Sequence, residues 1–369
     1  MRVGLSILAI LLAVSIKLPA QSSAPPPATG SVTGHVFLGD SHLPARMAYV
    51  TLLPAIVADA GDKKQALKLT QTGLDGVFFM PHVLPGSYYI VATKRGYSLP
   101  APDLNGDFSN IDKAPQDVKD ALLTVAVAAN RTTVADITLN RGAVIAGTVR
   151  FDDGEPAAEA RVSFLRKDKS GKWDESRDGA DSGITVDDQG NFRIADLSPG
   201  EYLLRTTLVL FSPQSPNAMY YSLDIFFGDG MRQRDAKTIQ IKDGEESDGD
   251  NITIPLSKLH SVSGTVVSME TGATVNSAKL ELHYADDDSL VAEAGISADE
   301  DQFHFPYVAE GEYTLKVTNA RDIHPYVYPG TNKPIRTYAD ASQPLIVKGE
   351  TSGVSIQVKP LPVAATTAQ

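Results

Sequence analysis

The sequence predicts an all-β protein built as three tandem Greek-key β-sandwiches, and three observations carry that expectation. A short strand of the form apolar-x-Gly-x-Val occurs three times, at Val32, Gly34 and Val36, at Ile145, Gly147 and Val149, and at Val262, Gly264 and Val266. Each copy later reaches a corner that ends in tyrosine: "LPGSY" up to Tyr88, "LSPGEY" up to Tyr202 and "VAEGEY" up to Tyr313. Helical signals are sparse, confined to "APQDVKDALLTVAVAA", which reads as a short helix running into a strand. Self-similarity along the chain, with turn residues between short strands, points to repeated sheet modules.

The elements follow in the same order in each copy. The opening strands "SVTGHVFL", "VIAGTVRF" and "SVSGTVVS" alternate with a period of two, the signature of a strand with one buried face. A second strand is expected in "ARMAYVTLLP", "AEARVSFLR" and "NSAKLELHY", where Val50 with Leu52, Val162 with Phe164, and Leu280 with Leu282 share a face. Next, Phe78, Phe192 and Phe303 each stand ten residues before Tyr88, Tyr202 and Tyr313. Ile90, Leu204 and Leu315 lie two residues beyond each Tyr, so Phe and Tyr should meet in one core.

A Tyr just inside a strand after a tight corner has a structural role in Greek-key sandwiches, its hydroxyl reaching back to upstream backbone. Tyr88, Tyr202 and Tyr313 are therefore expected to be corner residues. Pro85 and Pro199 preset φ for the turn, while Gly86, Gly200 and Gly311 permit a positive φ. The last strands fall in "VADITLN", "NITIPLS" and "VSIQVKPL".

The N-terminus places Arg2 before an apolar run from Val3 to Ile16, followed by Leu18-Pro19-Ala20. That is the pattern of a secretory signal peptide and is shorter than the roughly 20 apolar residues of a membrane span. The expected order is a signal peptide over residues 1–20, a Pro/Ser-rich linker over 21–30, sandwiches over 31–141, 142–259 and 260–361, and a tail over 362–369. Export to the periplasm, the cell surface or the medium follows, with no membrane span in the mature chain. There is no cysteine, so packed cores and not disulfides must hold the domains. The formal charge is −12, and −14 once Arg2 and Lys17 leave with the signal, which disfavours nucleic acid as a partner.

The combination of apolar-x-Gly-x-Val, G-x-F-x-apolar and L-x-P-G-x-Y resembles the carboxypeptidase regulatory-like domain, three times over from Ser31 to about Leu361. The resemblance implies a transthyretin-like sandwich, often grouped with carbohydrate-binding-like folds, that serves as an accessory and carries no catalysis of its own. A related type, the collagen-adhesin B-like domain, crosslinks an opening-strand Lys to a closing-strand Asn with help from a Glu. Here the opening strands offer His35, Thr148 and Thr265, and the strands after each Tyr lack the Glu, so no isopeptide is expected.

Catalytic patterns are missing. No H-E-x-x-H, no G-x-S-x-G and no phosphate loop occurs, and the nearest approach to H-x-x-E is His283-Tyr-Ala-Asp286. No enzyme and no cofactor are expected. For a cation, "DLNGDFSNID" sets Asp103, Asn105 and Asp107 at calcium-loop spacing with Asp112 as a stand-in for the missing Glu, though Phe108 occupies the Gly position and an Asx-rich turn accounts for the same residues. The acidic runs "DGEESDGDN" and Asp286 to Asp288 read as solvated loops.

Long insertions separate the Tyr strand from the closing strand in every copy: "RGYSLPAPDLNGDFSNIDK", "FSPQSPNAMYYSLDIFFGDGMRQRD" and "RDIHPYVYPGTNKPIRTYADAS". Aromatics mixed with Asp, Asn and Arg suit sugar or peptide contacts. Tyr220, Tyr221, Phe226, Phe227, Tyr326 and Tyr328 are thus candidate ligand residues, joined by Trp173, the one indole in the chain. The other reading is that these segments pack back as caps or wedges. The partners expected are a carbohydrate or a protein of the cell envelope.

Overall fold

The protein is described here from a computed structural model, over residues 27–55, 67–99, 111, 114–158, 160–168, 170–175, 184–211, 220–228, 230–297, 301–323 and 334–362. It is almost entirely strand, with one helix, Gln116–Asp120, and short 3-10 turns among the described residues. The expected helix-then-strand in the first copy is present as Gln116–Asp120 followed by Leu123–Val127. The described residues within 1–92 and 110–138 form one compact unit, and those within 93–109 and 139–369 form a second.

In the first unit the opening strand Gly30–Leu38 lies between Val77–Val83, antiparallel, and Thr132–Val134, parallel. The other sheet runs in the order Lys68–Gln71, Tyr49–Pro54, Gly86–Thr93, Leu123–Val127. The second unit contains this plan twice. Ala143–Phe151 pairs with Asn191–Leu197 antiparallel and with Glu246–Ser247 and Ile252–Ile254 parallel. Its companion sheet sets Arg161–Lys167 beside Gly200–Phe211. Leu259–Ser268 pairs with Phe303–Ala309 antiparallel and Thr351–Val358 parallel, while Ser277–Tyr284 lies beside Gly311–Ile323 in the facing sheet.

The alternation read from the sequence lands on the core. Val32, Val36, Val50 and Leu52 are fully buried, as are Val262, Val266, Leu280 and Leu282. Phe192 and Tyr202 share one apolar cluster with Ile145, Val149, Val162 and Leu204, and Phe303 and Tyr313 share another with Val266, Leu280 and Leu315. Phe164 packs on the edge of its cluster, edge-on to Tyr202 with ring centroids 5.5 Å apart.

The glycine of each opening strand has a steric cause. The closing strand runs parallel to the opening strand and crosses so near it that a Cβ on Gly34 would lie 1.8 Å from the Ala135 carbonyl oxygen. At Gly147 the same atom would lie 2.5 Å from the Asp250 oxygen, and at Gly264 2.0 Å from that of Val354. No side chain fits in such a gap. One residue further on, an Asx side chain takes over the pairing in two copies. The amides of His35 and Thr148 donate to Asp136 Oδ1 at 2.8 Å and to Asn251 Oδ1 at 2.9 Å.

Each corner tyrosine is buried and donates to the carbonyl four residues upstream: Tyr88 Oη to Leu84 at 2.8 Å, Tyr202 Oη to Ser198 at 2.6 Å and Tyr313 Oη to Ala309 at 2.8 Å. Of the glycines before them only Gly86 has a positive φ, at 157°; Gly200 and Gly311 have none. The smallness of Gly311 makes room for the ring, because a Cβ there would sit 3.2 to 3.4 Å from the Tyr313 phenol. Positive φ falls four residues earlier, on His82 (56°), Asp196 (67°) and Tyr307 (60°). All three lie where the hairpin strand slips register against the opening strand, so each copy has a bulge that bends its strand into the corner.

Two measurements test these points. Gly264→Ala should lower stability by about 1–3 kcal/mol through forced backbone displacement, and an unchanged melting temperature by calorimetry would refute the steric account. Tyr313→Phe should cost about 1 kcal/mol at neutral pH through the lost hydrogen bond. Burial, with the neighbouring Tyr284, raises the Tyr313 phenol above its ordinary value. The stability it contributes is complete below the unfolded value of about 10 and is lost as pH climbs above it. The Phe variant should therefore lose less stability than the parent between neutral and strongly alkaline pH.

Candidate functional site

The second and third insertions extend their sheets. Gly200–Phe211 and Gly311–Ile323 are long strands whose ends overrun the sandwich, and the chain returns along them as Tyr220–Phe226 and Pro334–Thr337. Phe226 and Phe227, adjacent on the returning segment, pack on opposite sides. Phe226 is buried with Leu165 and Leu203, and Trp173 and Ala236 close over that cluster. Phe227 packs on the main core, with Lys237 Nζ 6.0 Å from its ring centre.

Two of the residues proposed from sequence as ligand contacts, Trp173 and Phe226, thus meet in one small apolar cluster on the outer face of the sheet. Trp173 begins the strand Trp173–Glu175, opposite Lys167. Lys167 Nζ stands 5.4 Å from the indole centre and bonds Glu201 Oε2 at 2.8 Å. The ring is only half-buried, leaving part of it in water. Tyr220 and Tyr221 are placed only by their backbone, opposite Phe211 and Leu210. Tyr326 and Tyr328, and the calcium candidates Asp103, Asn105, Asp107 and Asp112, lie outside the described residues. Among the described residues no three His, Asp or Glu side chains converge to hold a metal ion.

Other insertion aromatics are anchors. Tyr97 is buried beneath the Arg141 guanidinium, 5.3 Å from its ring centre. Tyr338 is buried and donates to Asp322 Oδ2 at 2.7 Å.

The acidic runs are not simple solvated loops. In "DGEESDGDN", Glu246–Ser247 is an edge strand on Ala143–Phe151, Glu246 pairs with Arg193 at 3.4 Å, and Asp250 is buried and accepts from Ser247 Oγ at 2.7 Å. Burial holds the Asp250 carboxyl above its usual range. Asp286 and Asp287 face the "RQR" of the second insertion. Arg232 grips Asp286 with both nitrogens, Nη1 to Oδ2 at 3.0 Å and Nη2 to Oδ1 at 2.8 Å, while its guanidinium lies 3.8 Å over the Tyr284 ring. Arg234 bonds Asp287 Oδ2 at 2.9 Å and also Asp286. Those bonds to Arg232 and Arg234 hold Asp286 far below the usual carboxylate range. Sequence reasoning missed this cluster. The signal was present as opposite charges in "RQR" and "DDD", but no local pattern says that segments 50 residues apart will meet.

An open recess of about 470 Å³ lies beside the cluster, bounded by Met231, Arg232, Tyr284, Glu310, Glu312 and Tyr313.

Residues 144–254 match the carboxypeptidase regulatory-like domain. The match runs from the opening strand Ala143–Phe151 to the closing strand Ile252–Ile254, so the matched segment coincides with the middle sheet pair. No curated protein matches the chain by sequence. Among solved structures, the Bacillus anthracis TIE protein is 13% identical, covering 90% of this chain and 51% of its own, with a TM-score of 0.23. The chain therefore spans about half the length of that protein. A streptococcal ancillary pilin is 12% identical over 90% of this chain and 100% of the pilin, at a TM-score of 0.31. A putative carbohydrate binding protein from Pseudomonas aeruginosa is 14% identical over 28% of this chain and 88% of its own, at 0.18.

The packing role assigned to Phe226 is open to measurement. Phe226→Ala should destabilise the protein by about 3–5 kcal/mol and shift the emission of Trp173 to longer wavelength as water enters the cluster. A stable variant with unchanged emission would show that the cluster does not depend on this ring.

Proposed function

We propose that the protein is an exported, non-catalytic scaffold, a run of β-sandwiches that holds surfaces apart and presents them. The observation that carries this reading is the use made of the insertions: Phe226 and Phe227 pack onto the sheet that their strand lengthens, Tyr338 joins the third core, and Tyr97 is buried. The regulatory-like match over 144–254 supports it, since the resemblance implies an accessory domain. No helix among the described residues is long and apolar enough to cross a membrane. The signal-peptide pattern at the N-terminus supports export, and a protein of the cell envelope is the partner that such a scaffold would engage.

Carbohydrate binding is the second reading, favoured by the half-exposed Trp173 ring on a sheet face, with Lys167 over it and Glu201 bonded to that lysine. A glycan array run beside a pull-down from envelope extract separates the two. The scaffold reading expects no glycan signal above background and a protein partner captured by the full chain. A glycan signal weakened at least tenfold by Trp173→Ala would transfer the conclusion to carbohydrate binding. Hydrolysis of peptides, esters or glycosides, abolished by changing a single His, Asp or Ser, would overturn both.

A further inference from the structure

The second and third sheet pairs are joined by very little chain. The closing strand Ile252–Ile254 is followed by a 3-10 turn, Leu256–Lys258, and the next opening strand starts at Leu259. That turn is tied to the second pair, because Asp152 accepts the Ser257 amide at 3.0 Å and also bonds the Ser257 hydroxyl. A connection this short fixes the separation of two bodies but leaves them free to bend and twist about it. We propose that Arg232 and Arg234, closing on Tyr284, Asp286 and Asp287, form an electrostatic latch that removes this freedom and makes residues 143–358 one rigid body.

The geometry is that of a prepared receptor and not of a chance surface pair. The receiving turn is held from within before any arginine arrives. Asp287 Oδ1 takes the Ser289 amide at 3.0 Å and its hydroxyl at 2.6 Å, leaving Oδ2 for Arg232 and Arg234. Asp288, with a positive φ of 58°, is fixed by Lys316 Nζ at 2.6 Å. His283 spans the base of the turn, with Nδ1 2.7 Å from the Asp288 carbonyl and Nε2 3.0 Å from Glu281 Oε2. On the other side, Arg232 and Arg234 flank and enter the 3-10 turn Gln233–Asp235, and Arg232 has only 15% of its side chain exposed. Stacking on Tyr284 while forking onto Asp286 uses the planar guanidinium in a way that lysine cannot reproduce. The latch meets the third pair near the end where its opening strand begins, since Leu259 pairs with Ala309, and Ala309 and Glu310 line the recess beside Arg232, so it adds a second attachment beside the short connection. This inference does not depend on which ligand reading is correct.

Trypsin cleavage at Lys258, in the exposed connection, reports the latch in the full-length protein, and small-angle scattering reports the rigidity. In the parent at low salt, cleavage should be slow and scattering should fit one fixed arrangement of residues 143–358. Arg232→Ala with Arg234→Ala should raise the cleavage rate roughly tenfold and broaden the distance distribution. Asp286→Asn with Asp287→Asn approaches the same contact from the exposed turn and should do likewise. Salt at 1 M shortens the screening length to about 3 Å and should speed cleavage of the parent more than of either variant. Arg232→Lys should fall between parent and double variant. Equal cleavage and scattering in parent and Asn variant, or an equal salt response in all, would overturn the latch.

Discussion

Everything in this fold depends on the contact between the first and last strands of each sheet pair. Both belong to one sheet and run parallel, so the chain must leave the opening strand, build the facing sheet and return to its own start. At Gly34, Gly147 and Gly264 the returning backbone comes so near that even a methyl group has no room. Because the return is fixed there, the hairpin strand on the opposite side can take up its bulge at His82, Asp196 or Tyr307, and the corner tyrosine can reach its carbonyl. The hydrophobic face supplies the driving force, but it would tolerate more than one register. The close crossing and the hydrogen-bonded corner select one.

This is why some of the architecture was legible in the sequence and some was not. Alternation identified the buried faces, and the constant ten-residue step from Phe192 to Tyr202 and from Phe303 to Tyr313 identified partners in one core, because a strand maps sequence spacing directly onto space. The glycines were visible but their cause was not. A Gly after Pro suggests a turn with positive φ, whereas Gly311 leaves room for a ring two residues ahead, and positive φ is carried by Asp196 and Tyr307, which nothing in the local sequence singles out. The site was less legible still. The pairing of Trp173 with Phe226, and of Arg232 with Asp286, joins residues whose neighbourhood is created only when strands distant in sequence become adjacent.

The insertions show how such a module gains new surface without disturbing its core. In the second and third copies the insertion departs after the corner strand, and the added residues prolong that strand and return along it. Aromatics then have a use that is not recognition. A two-stranded extension standing clear of the sandwich buries little by itself and is marginal in water. Phe226 on one face and Phe227 on the other fasten the returning segment to both the outer cluster and the main core.

The same extension brings Arg232 and Arg234 to the edge of the third sheet pair, and there the balance of terms decides what they do. An isolated exposed ion pair contributes little, since water screens it and two long side chains must be ordered. A fully buried one loses more in desolvation than it recovers unless every polar atom is met. This cluster lies between those limits. Asp286 and Asp287 keep access to water, so their desolvation is small, while Arg232 is covered by the Tyr284 ring and meets two carboxylates at once. The entropic cost is reduced on the acidic side by Ser289, Lys316 and His283, which hold the turn in place whether or not the arginines are bound. Preorganisation on one side and stacking on the other strengthen an ordinarily weak class of interaction where the second and third sheet pairs meet.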